Sequence, residues 1–161
     1  EKPEFVTGAG AAKYLQKMNY PVQDVYNPPS FTVKNGSLEK SLSWLWKYYK
    51  YYKECKQISE QIFEKKTPSI VISDEDFASL TVAQRKNIPS ILITDILETR
   101  FTSGIASVIE KKMNQSMKDI IKKCNAVILP EEGPSHENIY RVGPIVRKTD
   151  HSREELRKKF E

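Results

Sequence analysis

The sequence predicts an α/β domain on a doubly wound parallel sheet, and two observations carry that prediction. The first is residues 69–95, SIVISDEDFASLTVAQRKNIPSILITD. They read as two short apolar strands, Ser69–Ser73 and Ser90–Thr94, around one helix over Phe77–Lys86 that Asp76 would cap. Unbroken Ile/Val/Leu runs without polar alternation are expected of strands covered by helices on both faces. A strand–helix–strand unit of this length crosses over right-handed, so both carboxyl ends open on one edge. The second observation is that strands and helices alternate along the rest of the chain. Ligands of open α/β sheets bind at the carboxyl edge, and there the sequence places acids: Asp74, Glu75 and Asp76 after one strand, Asp95 after the other.

The remaining elements follow in order. Glu4–Thr7 is a strand that runs into Gly8, Ala9 and Gly10, then a short helix over Ala11–Met18 and a strand over Val22–Tyr26. Pro28, Pro29 and Gly36 make Asn27–Gly36 a loop. From Ser37, a natural N-cap, a long helix runs to about Lys66, where Thr67-Pro68 stops it. A further helix covers Gly104–Lys123, with Ile105, Val108, Ile109, Met113, Met117, Ile120 and Ile121 on one stripe expected to face the core. Ala126–Leu129 is a strand, Pro130–Glu137 a polar loop, Tyr140–Val146 an extended segment and Ser152–Phe160 a charged helix.

A chain of 161 residues, 39% hydrophobic and 29% charged, is one domain's worth of soluble globular protein. No apolar run approaches the roughly 20 residues that span a bilayer. Cys55 and Cys124 match no CxxC or metal-ligand spacing and read as reduced core thiols of a cytosolic protein; with His136 and His151 too few and too distant, no metal site is expected. A net charge of +5 invites a nucleic-acid reading, but the lysines alternate with acids on helices and no RNP-type motif, zinc finger or arginine-rich arm is present. A solvated helix face accounts for most of that charge, and attraction to an anionic membrane or ligand is the next reading.

Three groups of side chains invite function, each beside a plainer role. Gly8, Ala9 and Gly10 follow a strand and open a helix, as a phosphate-cradling turn does, yet a tight turn needs the same residues. Thr94 and Asp95 sit at the second strand's lip, where they either touch an acceptor hydroxyl or begin a loop. In the long helix, Trp44, Tyr48, Tyr51, Cys55, Ile58 and Ile62 keep helical spacing, and Leu45, Tyr52, Ile58 and Ile62 suit a buried stripe. WLWKYYKYYK nevertheless carries more aromatic surface than one packing face hides. Trp44, Trp46 and Tyr48, mixed with lysine, suit a membrane interface or a lipid-like acceptor, and part of the run should be solvent-accessible.

The series FVTGAGAAKYLQKMNYPVQDV, the PPSF loop with its long helix, IVISDEDFASLTVAQRKNIPSILITD, CNAVILPEE and YRVGPIVR with a charged helix resembles the N-terminal half of a GT-B glycosyltransferase. It is most similar to archaeal and bacterial enzymes of the lipid-II-forming N-acetylglucosaminyltransferase and UDP-glucuronosyltransferase group. The resemblance implies a Rossmann-like acceptor-binding domain over residues 1–146 and a connection over 147–161 into an absent C-terminal domain that binds most of a UDP-sugar. It also implies a first strand, glycine-rich turn and helix, roughly 20–30 residues, upstream of Glu1 and between the strands that hold Phe5-Val6 and Val71-Ile72.

What the resemblance implies chemically is inverting transfer of a sugar from a nucleotide-sugar donor to a hydroxyl acceptor, lipid-linked acceptors included, with no cofactor. In plant and animal members a histidine of the first glycine-rich turn is the base, and a carboxylate ending the fourth strand orients it. Asp74 matches that carboxylate; without the histidine in view, Asp74 or Glu75 is the candidate base, while Asp76 is more naturally a helix cap or an acceptor contact. The family implies a cytoplasmic site, peripheral at the membrane. Two other classes share these strands and acids: a non-catalytic sugar- or nucleotide-binding α/β module, and a membrane-recruiting subunit of a two-chain glycosyltransferase.

Overall fold

Val71, Ile72, Ser73 and Asp74 pair in parallel register with Ser90–Ile93, and so begin a parallel sheet whose first two crossovers are helices and whose last, over residues 130–138, is a loop. The computed structural model describes residues 3–35, 37–145 and 152–160. In chain order the elements are β1 (Phe5–Thr7), α1 (Ala9–Lys17), β2 (Val22–Asp24), β3 (Val33–Lys34), β4 (Ser37–Leu38), α2 (Ser41–Lys65), β5 (Val71–Asp74), α3 (Phe77–Arg85), β6 (Ser90–Ile93), α4 (Ile105–Lys123), β7 (Ala126–Leu129), β8 (Ile139–Arg141) and α5 (Arg153–Phe160). Strands β5-β6-β7-β8 form a four-stranded parallel sheet, and β1 and β2 form a separate parallel pair. The α/β architecture expected from the alternating runs is therefore present. Residues 146–151, including His151 and the first part of the connection expected over 147–161, lie outside the described residues.

Strand order equals chain order, so right-handed crossovers place α3 and α4 on the same sheet face. That face holds the core: Leu80, Leu92, Ile121, Cys124 and Val127 form one buried cluster. Phe63, Val82, Ala83 and Ile88 form a second where α2 packs on α3. The other face is not covered as expected. The register aligns Ile72 with Ile91, and Ile72 is 62% exposed. Continuous apolar runs mark a strand made for two covered faces, but among the described residues one face alone carries packed helices.

Two local expectations are corrected. Ser37 does not cap the long helix: Ser37–Leu38 pairs antiparallel with Val33–Lys34, and the helix starts four residues later behind Lys40. The hairpin prevails because Leu38 is buried and donates its N–H to the Phe101 carbonyl (3.2 Å), while Glu39 donates to Thr32 (2.9 Å). The face of α2 is also rotated from its expected stripe. Leu45, Cys55, Ser59 and Phe63 are buried, whereas Ile58 and Ile62 are half-buried.

A third correction concerns α4. Ile120 and Ile121 pack in the core as expected, but Ile105, Val108 and Ile109 face outward, and Glu110 and Asn114 take the buried side. The interior next to α4 is an irregular loop, and buried loop backbone needs polar partners. Glu110 supplies them by accepting the N–H groups of Phe101 (2.9 Å) and Thr102 (3.1 Å) and the Thr102 hydroxyl (2.5 Å). Asn114 accepts from the Thr99 N–H (3.0 Å) and donates to the Thr99 carbonyl (2.8 Å).

Burial pushes the Glu110 carboxyl up, but the donors from Thr102 and Phe101 outweigh it and hold it below its ordinary value. A depressed carboxyl stabilises the fold above its unfolded value, about pH 4.3, and loses that contribution as pH falls through the folded value. Glu110→Gln should cost about 2 kcal/mol at neutral pH, with the difference from wild type vanishing in acid. Denaturant titrations on both sides of that window check this; a penalty independent of pH would contradict it.

Candidate functional site

Asp76 organises the carboxyl edge. It caps α3, with Oδ1 accepting the N–H groups of Ala78 (2.9 Å) and Ser79 (3.3 Å). Its own N–H donates to Ser73 Oγ (2.9 Å), and its carbonyl accepts the Ser73 hydroxyl (2.9 Å). The remaining oxygen, Oδ2, accepts the Tyr26 hydroxyl at 3.2 Å. With both oxygens occupied, Asp76 is the cap its sequence position suggested rather than a free contact for substrate.

Glu75, between Ser73 and Asp76, is thereby forced into the left-handed region, φ +59°. A bulky residue there is uncommon and costs about 1 kcal/mol or more. Its N–H continues the ladder by donating to the Ile93 carbonyl (3.1 Å), which fixes the side chain toward β6. Thr94 is 2% exposed; its hydroxyl lies 3.3 Å from Glu75 Oε1 and 3.1 Å from the Ile96 carbonyl, and it accepts the Ile96 N–H (3.0 Å). Thr94 is thus consumed in shaping the lip and holding Glu75.

Asp95 completes the group. Partial burial first, and then the neighbouring Asp95 carboxylate, hold the Glu75 carboxyl above its ordinary value, although the Asp95 N–H and the Thr94 hydroxyl pull the other way. Such a carboxyl retains its proton more readily and is a stronger base once ionised. Asp74 is exposed, and its carboxylate makes no hydrogen bond among the described residues. The edge therefore unites three predicted acids, Asp74, Glu75 and Asp95, two of them coupled.

Gly8 reaches the same place through Tyr26. A Cβ on Gly8 would lie 1.9 Å from the Tyr26 carbonyl oxygen, so only glycine permits this approach of β1's end to β2's end. The Tyr26 ring then extends to Asp76 and lies 3.3 Å, hydroxyl to hydroxyl, from Ser59 of α2. Burial, with the Asp76 charge second, raises the Tyr26 hydroxyl well above its ordinary value and keeps it a neutral donor. Gly10 has open space where a Cβ would stand, and Ala9 begins α1. The Gly8 turn is explained by backbone packing. Tyr26, Ser59 and Ser73 were not singled out from sequence; a tyrosine closing a strand at a sheet edge was their one legible sign.

The aromatic run of α2 divides. Trp44 is half-buried against Phe101 (6.0 Å), Phe31 (6.2 Å) and a stacked Tyr48 (5.1 Å between centroids), with an indole N–H buried and unpaired among the described residues. Trp46 is 59% exposed, stacks on Tyr49 and carries Lys50 over its ring at 5.4 Å. Beside Trp44 a shallow cavity of about 160 Å³ opens between Phe31, Thr32, Glu39, Lys40, Ser43 and Lys47. Cys55 and Cys124 are free and buried, and burial raises both thiols. His136 stands exposed in its loop and pairs through backbone alone with Ile139. No His/Cys/Asp/Glu cluster among the described residues could hold a metal ion.

No protein-family model matches this chain, and no curated protein matches it significantly. The coupled acids themselves are open to test. Asp95→Asn should lower the Glu75 carboxyl part of the way toward its ordinary value, since burial remains. Carboxyl-carbon NMR titration reads this directly, and an unmoved Glu75 would dissolve the pair.

Proposed function

We propose that this chain is the acceptor-binding half of an inverting GT-B glycosyltransferase, moving a sugar from a UDP-sugar to a hydroxyl acceptor. One observation carries the reading: Asp74, Glu75 and Asp95 meet at the carboxyl edge of a parallel sheet, with Glu75 held out of ordinary backbone geometry and its carboxyl raised. The order and spacing of the strands support it. So do two open strand edges: among the described residues β1 pairs with β2 alone and β5 with β6 alone, and Ile72 lies open. A strand between β1 and β5, followed by a helix over Ile72, would supply the Rossmann-like strand order and the glycine-rich turn of the family.

In the proposed step, the ionised Glu75–Asp95 pair takes the proton of the acceptor hydroxyl. The oxygen attacks the anomeric carbon opposite the diphosphate, the carbon–oxygen bond to the diphosphate breaks, and its electron pair leaves with UDP. Asp74 is the carboxylate placed to orient a base or the acceptor. The donor's nucleotide is bound mainly by a separate C-terminal domain. A cytosolic setting, peripheral at a membrane that presents the acceptor, fits the reduced thiols; no helix among the described residues is long and apolar enough to cross a membrane. The two-chain reading, in which this chain recruits a catalytic partner to the membrane, is favoured by the exposed apolar start of α4.

The test uses the intact enzyme. Glu75→Gln and Asp74→Asn remove charge but keep shape, and at least one should lower kcat by about 10²–10⁴-fold with donor KM little changed. Near-normal kcat in both variants would remove the edge from the mechanism.

A further inference from the structure

We propose that the outward face of α4's first turns, together with the adjoining β3–β4 hairpin, is a docking surface for an anionic lipid bilayer. The observation behind it is the inversion of α4. Ile105, Val108 and Ile109, spaced to share one helix face, are 78%, 67% and 43% exposed, while Glu110 and Asn114 are buried opposite them. Loop residues 99–102 consume the polar face, so among the described residues the apolar face is left without a packing partner. Lys112 lies on the same outward face and Lys111 beside it, and neither has an ion-pair partner among the described residues.

The surface continues past the helix. Phe101, held by Glu110, packs edge-on against Trp44 and accepts the Leu38 N–H, which ties α4's start to the hairpin. On that side Phe31 is 66% and Val33 54% exposed, and Lys34, Lys40 and Lys47, without ion-pair partners among the described residues, add cations beside them. Apolar side chains ringed by free lysines suit an anionic headgroup layer, where the chains enter the interface and the ammonium groups stay at phosphate level. A protein partner is less well matched, because the centres of protein interfaces are depleted in lysine.

Topology gives the surface its orientation. α4 follows β6 and α2 leads into β5, so the first turns of both helices lie at the carboxyl edge that holds Asp74, Glu75 and Asp95. Docking there would turn the acids toward a membrane-borne acceptor; this last clause alone rests on the transferase reading.

Vesicle co-sedimentation of the full chain tests the proposal without any sugar transfer, so its failure and that of the transferase reading are separable. The probes are phosphatidylcholine vesicles, alone and with about 30 mol % phosphatidylglycerol. Wild type should bind the anionic vesicles and release as salt rises. Ile105→Ser/Ile109→Ser and Lys111→Ala/Lys112→Ala should each weaken binding about tenfold or more, with circular dichroism and the unfolding midpoint unchanged because these side chains are exposed. Equal or negligible binding to the two vesicle types, or unchanged binding by both variants, would overturn the proposal. Self-association that Ile105→Ser/Ile109→Ser abolishes, without lipid binding, would overturn it in favour of a second copy on this face.

Discussion

One carboxylate sets the geometry on which the rest of the edge depends. Asp76 starts α3 with Oδ1, receives Tyr26 with Oδ2 and closes a reciprocal pair with Ser73 through its main chain. A helix cap of this kind is ordinarily worth about 1 kcal/mol, but here it also fixes position. The same group sets the direction of α3, the end of β5 and the attachment of the β1–β2 pair, which reaches it through Tyr26. Glu75 is confined between the two partners of that arrangement, and its left-handed backbone follows.

From this constraint the chemistry of the edge follows. Glu75 emerges beside β6 rather than along β5, so it meets Thr94 and Asp95 while remaining open to solvent. Asp74, one residue earlier, remains exposed, its carboxylate without a hydrogen bond among the described residues. Neighbouring acids thus acquire different character from backbone geometry alone: one is open, one caps a helix, one is raised by burial and a neighbouring charge. Separating the properties of adjacent carboxyls is what general acid–base catalysis requires of a site. A second buried carboxylate, Glu110, acts in the opposite sense: its donors hold it ionised, and it serves the loop rather than a reaction.

Where the sequence was readable, local pattern and tertiary outcome agreed. The runs at 69–73, 90–94 and 126–129 became parallel strands with ends within two residues of those expected, and Asp76 became the cap of α3. Reading failed where a distant partner decided. Ser37 is an ordinary N-cap by type, but Phe101, far along the chain, drew Leu38 into a hairpin. Ile105, Val108 and Ile109 have the spacing of a core stripe, and spacing cannot tell which face of an amphipathic helix meets a loop that needs polar partners. At the site, the three acids were legible because strand ends gather at one edge. Tyr26 and Ser59 were not, since their role appears only when β2, α2 and α3 meet.

For the proposed sugar transfer, the pH dependence of kcat in the intact protein, compared between wild type and Asp95→Asn, tests the central claim most directly. If the Glu75–Asp95 pair is the base, kcat rises with pH through the raised carboxyl value. Removing the Asp95 charge then lowers that value and moves the rising limb to lower pH. A rising limb that stays in place when Asp95 becomes asparagine would contradict the account.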